Sequence, residues 1–224
     1  MSLIDKDRLR PLEQLQPTII ALSGKKGSGK NTLSSYIVSY IDKYYSDQFP
    51  VGEFAFADGI KDFCIDILGL EYNQCYGSDD DKNTLTHYEW ENTPNRDVGY
   101  HGYTRKYMTG REVMQVFGTE CVRSWFGNVW AEATIRKIRQ KKRSCALITD
   151  NRFPNEVETV LKQPRGYIIR LTRAPFVESD SHSSEIALDD FDWNRPRCFV
   201  IDNARMNKEE QKKAVIPILQ KIFQ

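Results

Sequence analysis

At 224 residues the chain is long enough to bury one sizeable core, and its 40% hydrophobic and 28% charged content excludes the disordered and fibrous classes. A formal net charge of +1 disfavours generic duplex binding, which rests on many unpaired Lys and Arg, so no stable nucleic-acid partner is expected. No window of about 18 uncharged apolar residues occurs, and the five scattered cysteines form no Cys-x-x-Cys pair, so the expectation is a reducing, cytoplasmic setting with no membrane partner.

Residues 1–17 mix Asp5, Lys6, Asp7, Arg8 and Arg10 with single apolar residues and carry no signal-like core. They read as an arm that packs on the domain 18–224 or on a neighbouring copy, which leaves a homodimer among the expected assemblies. Thr18 to Ser23 is a continuous apolar run rich in β-branched residues, the pattern of a strand buried on both faces of a parallel sheet. A glycine-rich loop follows. Leu33, Ile37, Ile41 and Tyr44 then recur at spacings of three and four, predicting a helix from Lys30 to about Tyr45. Phe54 to Ala57 reads as a second strand, and Asp58 as the N-cap of a helix that carries Ile60, Phe63, Cys64, Ile67 and Leu68 and closes at Gly69.

Residues 71–106 sustain no period and read as a loop-rich insertion on the lid or acceptor side, with Asp79, Asp80 and Asp81 a solvated loop. Thr109 and Glu112 form a capping box for a helix reaching about Trp125, and Asn128 opens another that ends in the basic run Arg136 to Arg143. Trp125 and Trp130 read as core aromatics. Ala146 to Thr149, Gly166 to Leu171 and Cys198 to Ile201 complete five strands. Helices are expected over Pro154 to Leu161 and over Asn207 to Phe223, the latter bent or broken at Pro217. The alternation predicts an α/β fold, a five-stranded parallel sheet with helices on both faces, in a single domain from 18 to 224.

Gly24-Lys25-Lys26-Gly27-Ser28-Gly29-Lys30-Asn31-Thr32 has the Walker A spacing Gly-x-x-x-x-Gly-Lys, preceded by a strand and followed by a helix as that motif requires. Glycines let backbone N–H groups of Gly24, Gly27, Ser28 and Gly29 turn toward phosphate oxygens, the helix start adds its positive end, and Lys30 places a cation near the β- and γ-phosphates. Asn31 stands where Ser or Thr is usual, and the hydroxyl comes one place later at Thr32. This variant resembles the loop of nucleoside monophosphate kinases. ATP is the expected donor, with Thr32 and a strand-end carboxylate, Asp150, as the expected oxygen ligands of Mg2+.

The ordered set of further motifs resembles the deoxynucleoside monophosphate kinases of large bacteriophages. It comprises Phe56-Ala57-Asp58 with Ile60 and Lys61, Tyr76-Gly77 with Lys82-Asn83, Gly110 to Gln115, and Phe117 to Glu120. Asp150-x-Arg152-Phe153-Pro154-Asn155-Glu156, Leu171-Thr172-Arg173, and His182-x-Ser184-Glu185 complete it. The resemblance implies the nucleotide-kinase fold and transfer of the γ-phosphate of ATP to a deoxynucleoside monophosphate. Carried over by position, Asp58, Ile60, Lys61, Arg111, Arg152 and Glu185 would line the acceptor, with Arg111 and Arg152 gripping its phosphate and Lys30, Arg152 and Asp150 forming the catalytic set. Arg173 and the segment from His182 to Glu185 would belong to lid or acceptor elements. Plainer roles stay open: Lys61 as a solvated helix residue, Arg111 as a first-turn residue, Asp150 as the cap of the next turn, and Glu185 as a helix N-terminal charge. A kinase for another small acceptor, such as a phosphomevalonate-like one, and a nucleic-acid-linked ATPase are the alternative functions.

Overall fold

The computed structural model describes residues 16–45, 50–92, 106–141, 143–175 and 186–224. In chain order the elements are β1 (Thr18–Ser23), α1 (Lys30–Tyr45), β2 (Val51–Phe54), α2 (Asp58–Asp66), α3 (Tyr72–Tyr76), α4 (Asp79–Lys82), β3 (Leu85–Glu89) and β4 (Tyr107–Thr109). There follow α5 (Gly110–Gln115), a π-helical stretch over Val116–Arg123, α6 (Val129–Gln140), β5 (Cys145–Asn151), α7 (Pro154–Leu161), β6 (Gly166–Leu171), β7 (Cys198–Ile201) and α8 (Lys208–Phe223). The chain divides into two compact units: Met1–Phe56 with Ala131–Gln224, and Ala57–Trp130. Most of the expected arm, residues 1–15, lies outside the described residues, as do His182, Ser184, Glu185 and 93–105 of the expected insertion. Among the described residues no helix is long and apolar enough to cross a membrane.

The first unit is an all-parallel sheet in the order β2-β5-β1-β6-β7. All six β1 residues are buried because the strand is central and covered on both faces. Ile19 and Ala21 join Phe54, Phe56, Ile135, Ile138, Ala146, Ile148, Val157 and Val160 in one layer. Ile20 and Leu22 join Leu33, Ile37, Ile41, Leu147, Val215 and Leu219 in the other. Each fully buried Ile or Leu contributes about 1.5–3 kcal/mol relative to exposure, so these two layers fix which way every strand faces. Helix α8 starts at the Asn207 cap, whose side chain accepts from the Glu210 amide at 3.0 Å. It continues through Pro217 instead of breaking. Pro217 and Lys213, whose carbonyl loses its helical donor, are both exposed, where solvent can receive that carbonyl.

The second unit is mainly helical, with a short antiparallel pair, β3 against β4, that the sequence reading did not foresee. Its core gathers Ile60, Cys64, Leu70, Cys75, Trp90, Met108 and Val113. The Thr109–Glu112 capping box forms as expected: Thr109 Oγ1 accepts from the Glu112 amide, and the Glu112 carboxylate accepts from the Thr109 amide at 2.8 Å. Four expectations are corrected. Strand β2 covers Val51–Phe54, not Phe54 to Ala57, because its ladder to β5 ends at Phe54 opposite Ile148. Asp58 is the first helical residue and not the cap; Ala57 occupies the cap position in helical backbone conformation, with no side-chain cap bond. The acidic run is the one-turn helix α4, opened by Ser78, whose hydroxyl accepts from the Asp81 amide. Trp125 is 82% exposed and belongs to no core, whereas Trp130 is half-buried and its indole N–H donates to the Gly118 carbonyl at 2.9 Å.

Candidate active site

Strand β1 ends at Ser23, and the chain turns at once through the glycine loop into α1. Two glycines are fixed by geometry. Gly29 has φ +98°, and a Cβ there would meet Gln211 Oε1 at 2.9 Å; a Cβ at Gly24 would meet Ser28 Oγ at 2.5 Å. Lys30, the first residue of α1, is 9% exposed, and its ammonium donates to the carbonyls of Gly24 at 2.6 Å and Lys25 at 2.9 Å. Burial, then the neighbouring charges of Arg152 and Arg170, push the Lys30 ammonium down to about 8, while Asp150 pulls the other way. Asn31 is exposed and Thr32 half-buried on α1.

Asp150 and Arg152 leave the carboxyl end of β5. The Asp150 carboxylate accepts from the Phe56 amide at 2.7 Å, which takes over where the β2 ladder stops. The turn into α7 is held by buried Glu156, whose carboxylate accepts from the amides of Arg152 at 2.8 Å and Phe153 at 3.1 Å. Buried Asn151 pairs across the sheet with Ser23, and neither its amide oxygen nor its amide nitrogen has a hydrogen-bond partner among the described residues. The same is true of Ser28 Oγ inside the loop. Orphaned buried donors beside a glycine loop fit a ligand rich in acceptor oxygens, as a polyphosphate is.

The loop is braced from behind by residues the sequence reading missed. Asn203 and Gln211 are both buried; Asn203 Nδ2 donates to the Ser28 carbonyl at 2.8 Å, and Gln211 Nε2 to the Gly29 carbonyl at 3.2 Å. Arg173, expected as a lid element, clamps this brace: its amide donates to Asn203 Oδ1 at 2.9 Å and its guanidinium to the carbonyls of Asn203 and Met206. Arg170, another missed residue, donates from Nη1 to Ser23 Oγ at 3.0 Å. The available signals were a lone Arg in an apolar strand and an Asn two residues past a strand end.

Within the second unit, Lys61 lies 4.6 Å from the centre of the Tyr76 ring, and the Tyr76 hydroxyl donates to Asp62 at 2.5 Å. Arg111 donates from Nη2 to Asp79 at 2.7 Å and from Nε to Asn83 at 3.1 Å. Burial, then Lys61 and Arg111, hold the Lys82 ammonium below its ordinary value, so three cations share this region. Asp58 is half-buried, while Ile60 is 7% exposed and packs in the core beside Gly118. Among the described residues no three of His, Cys, Asp and Glu come together as a metal cluster.

A lysine-topped cradle at the carboxyl edge of a parallel five-stranded sheet places this molecule among the phosphate-binding-loop nucleotide kinases. Over 182 residues the chain is 30% identical to a protein of Acanthamoeba polyphaga mimivirus named "Putative deoxynucleotide monophosphate kinase"; the match covers 76% of this chain and 81% of that protein. No family model matches the chain. It belongs to the deoxynucleotide monophosphate kinase family.

Proposed function

We propose that the chain transfers the γ-phosphate of ATP to a deoxynucleoside monophosphate, yielding the deoxynucleoside diphosphate and ADP. The observation that carries this reading is the buried Lys30 ammonium at the mouth of the glycine loop, within electrostatic reach of Arg152 and Asp150. The name of the mimivirus relative points the same way. In the proposed step an oxygen of the acceptor's phosphate bonds to the γ-phosphorus, and the bond from that phosphorus to the β,γ-bridging oxygen breaks. The electron pair leaves on ADP. The attacking oxygen is already deprotonated, so the step asks the protein for alignment and positive charge more than for a base. Lys30 and Arg152 supply that charge at the transferred group, and Lys61 and Arg111 bind the acceptor.

Thr32 and Asp150 would hold Mg2+. A hydroxyl and a carboxylate are the hard oxygen donors this ion takes when substrate phosphates complete its shell. Held there, the ion would supply positive charge to offset that of the substrate phosphates. The test is an acceptor screen with ATP and Mg2+, reading both ADP and the phosphorylated product, over dTMP, dGMP, dCMP, dAMP and unrelated phosphorylated acceptors. Turnover with at least one of the four deoxynucleotides is expected. Failure of all four while another acceptor works would replace this reading, and hydrolysis stimulated by DNA with no phosphorylated product would replace it with an ATPase.

A further inference from the structure

Arg170 is the one charged residue of β6, and no motif of the sequence reading includes it. Strand residues alternate between faces, so Arg170 continues the row of Ile168 and stands opposite Ser23, the last residue before the glycine loop. Its side chain is only 13% exposed. Among the described residues its guanidinium makes one hydrogen bond, to Ser23 Oγ. The Asp189 carboxylate is 4.0 Å away, beyond hydrogen-bond length, and already takes the Lys25 ammonium at 2.7 Å. The Trp193 ring centre lies 5.2 Å from the guanidinium carbon. A guanidinium carries five N–H donors, and burying it with one of them used is costly unless an anion supplies the rest.

The location says which anion. Lys30 holds its ammonium on the carbonyls of Gly24 and Lys25, at the same end of the loop as Ser23, so the two cations converge where a loop lysine meets the outer phosphates. We propose that Arg170 is a donor-phosphate residue, whose guanidinium fork takes non-bridging oxygens of the terminal phosphate of a bound nucleoside triphosphate beside Lys30. The Trp193 ring and the Ser23 hydroxyl hold the fork in place; a lysine there would carry the charge without the planar pair of donors. This assignment rests on the nucleotide-kinase reading and deepens it.

The experiment compares wild type, Arg170→Ala and Arg170→Lys as full-length chains, measuring affinity for the β,γ-imido analogue of ATP and for ADP by equilibrium titration without acceptor. Arg170→Ala should weaken the triphosphate analogue about tenfold or more and change ADP by about twofold or less, with Arg170→Lys recovering only part of the loss. Equal weakening of both nucleotides, an unchanged preference for the triphosphate, or full recovery in Arg170→Lys would overturn the assignment. Should Arg170→Ala fail to fold, Arg170→Lys and Arg170→Gln carry the same comparison. A wild type that binds the analogue yet phosphorylates no deoxynucleotide sinks the acceptor reading alone, because the titration still reports on Arg170.

Discussion

Replacing Lys30 by Met exchanges the ammonium for an apolar chain of similar length without harming helix propensity at the start of α1. In the wild type, burial and neighbouring charges hold the ammonium at about 8 against an ordinary 10.5. The difference, 10.5 less about 8, is about 2.5 pH units, which at about 1.4 kcal/mol each puts the cost of keeping the group charged at pH 7 on the order of 3 kcal/mol. The variant sheds that cost but leaves the Gly24 and Lys25 carbonyls without their donor, a loss of about 1 kcal/mol each. A net gain of roughly 1 kcal/mol is therefore expected in urea unfolding at pH 7 without nucleotide, while phosphoryl transfer falls by about 10³ or more. The pH dependence supplies a second reading. Between about 8 and 10.5 the unfolded chain keeps a proton on Lys30 that the folded chain has released, so wild-type stability should rise through that window relative to the variant. A variant at least about 1 kcal/mol less stable than wild type, or a wild type whose relative stability stays flat from pH 8 to 10.5, would mean that burying the Lys30 ammonium carries no such cost.

Arg152→Ala should raise the acceptor KM and lower kcat while ATP affinity changes little; initial rates with each substrate varied decide this, and a pure loss of ATP affinity would move Arg152 to the donor side. Arg111→Ala should leave the urea midpoint almost unmoved, because its pair with Asp79 is exposed and worth roughly 0–1 kcal/mol, yet raise the acceptor KM about tenfold. Glu156→Ala should cost about 2 kcal/mol or more, since two amides at the start of α7 lose their buried acceptor. Because one of them is the amide of Arg152, turnover should fall with it.

The parts of the fold legible in the sequence are those whose code is local. Thr18 to Ser23 is central in the sheet and needs no face selection, Pro154 announces the first turn of α7, and Asn207 with Glu210 closes a capping box at α8. Where a partner decides, local signals mislead. The end of β2 is set by its ladder to Ile148 and by the Asp150 carboxylate that intercepts the Phe56 amide, neither visible within residues 51–57. The acidic run Asp79 to Asp81 resembles a solvated loop by composition, but Ser78 caps it and Arg111, 32 positions on from Asp79, neutralises part of it.

The site divides in the same way. The loop and Lys30 are contiguous and were readable, as was the pairing of Asp150 with Arg152 after a buried strand. Arg170, Asn203 and Gln211 are single polar residues on elements otherwise read as apolar or solvated, and they join the site only through sheet register and the packing of α8. Trp125 was misread because large aromatics usually bury, a tendency that carries no information about this turn.

The hydrogen bonds from Asn203 and Gln211 to the backs of Ser28 and Gly29 mean that the cradle is not a portable cassette. A strand, glycine loop and helix cut from residues 18–45 would keep the signature but lose the amides that set the pitch of its carbonyls. Transplanting this nucleotide grip into another scaffold therefore requires a donor pair 175 and 182 residues downstream to be carried with it, and sequence drift near the last helix can retune phosphate binding while the signature itself stays intact.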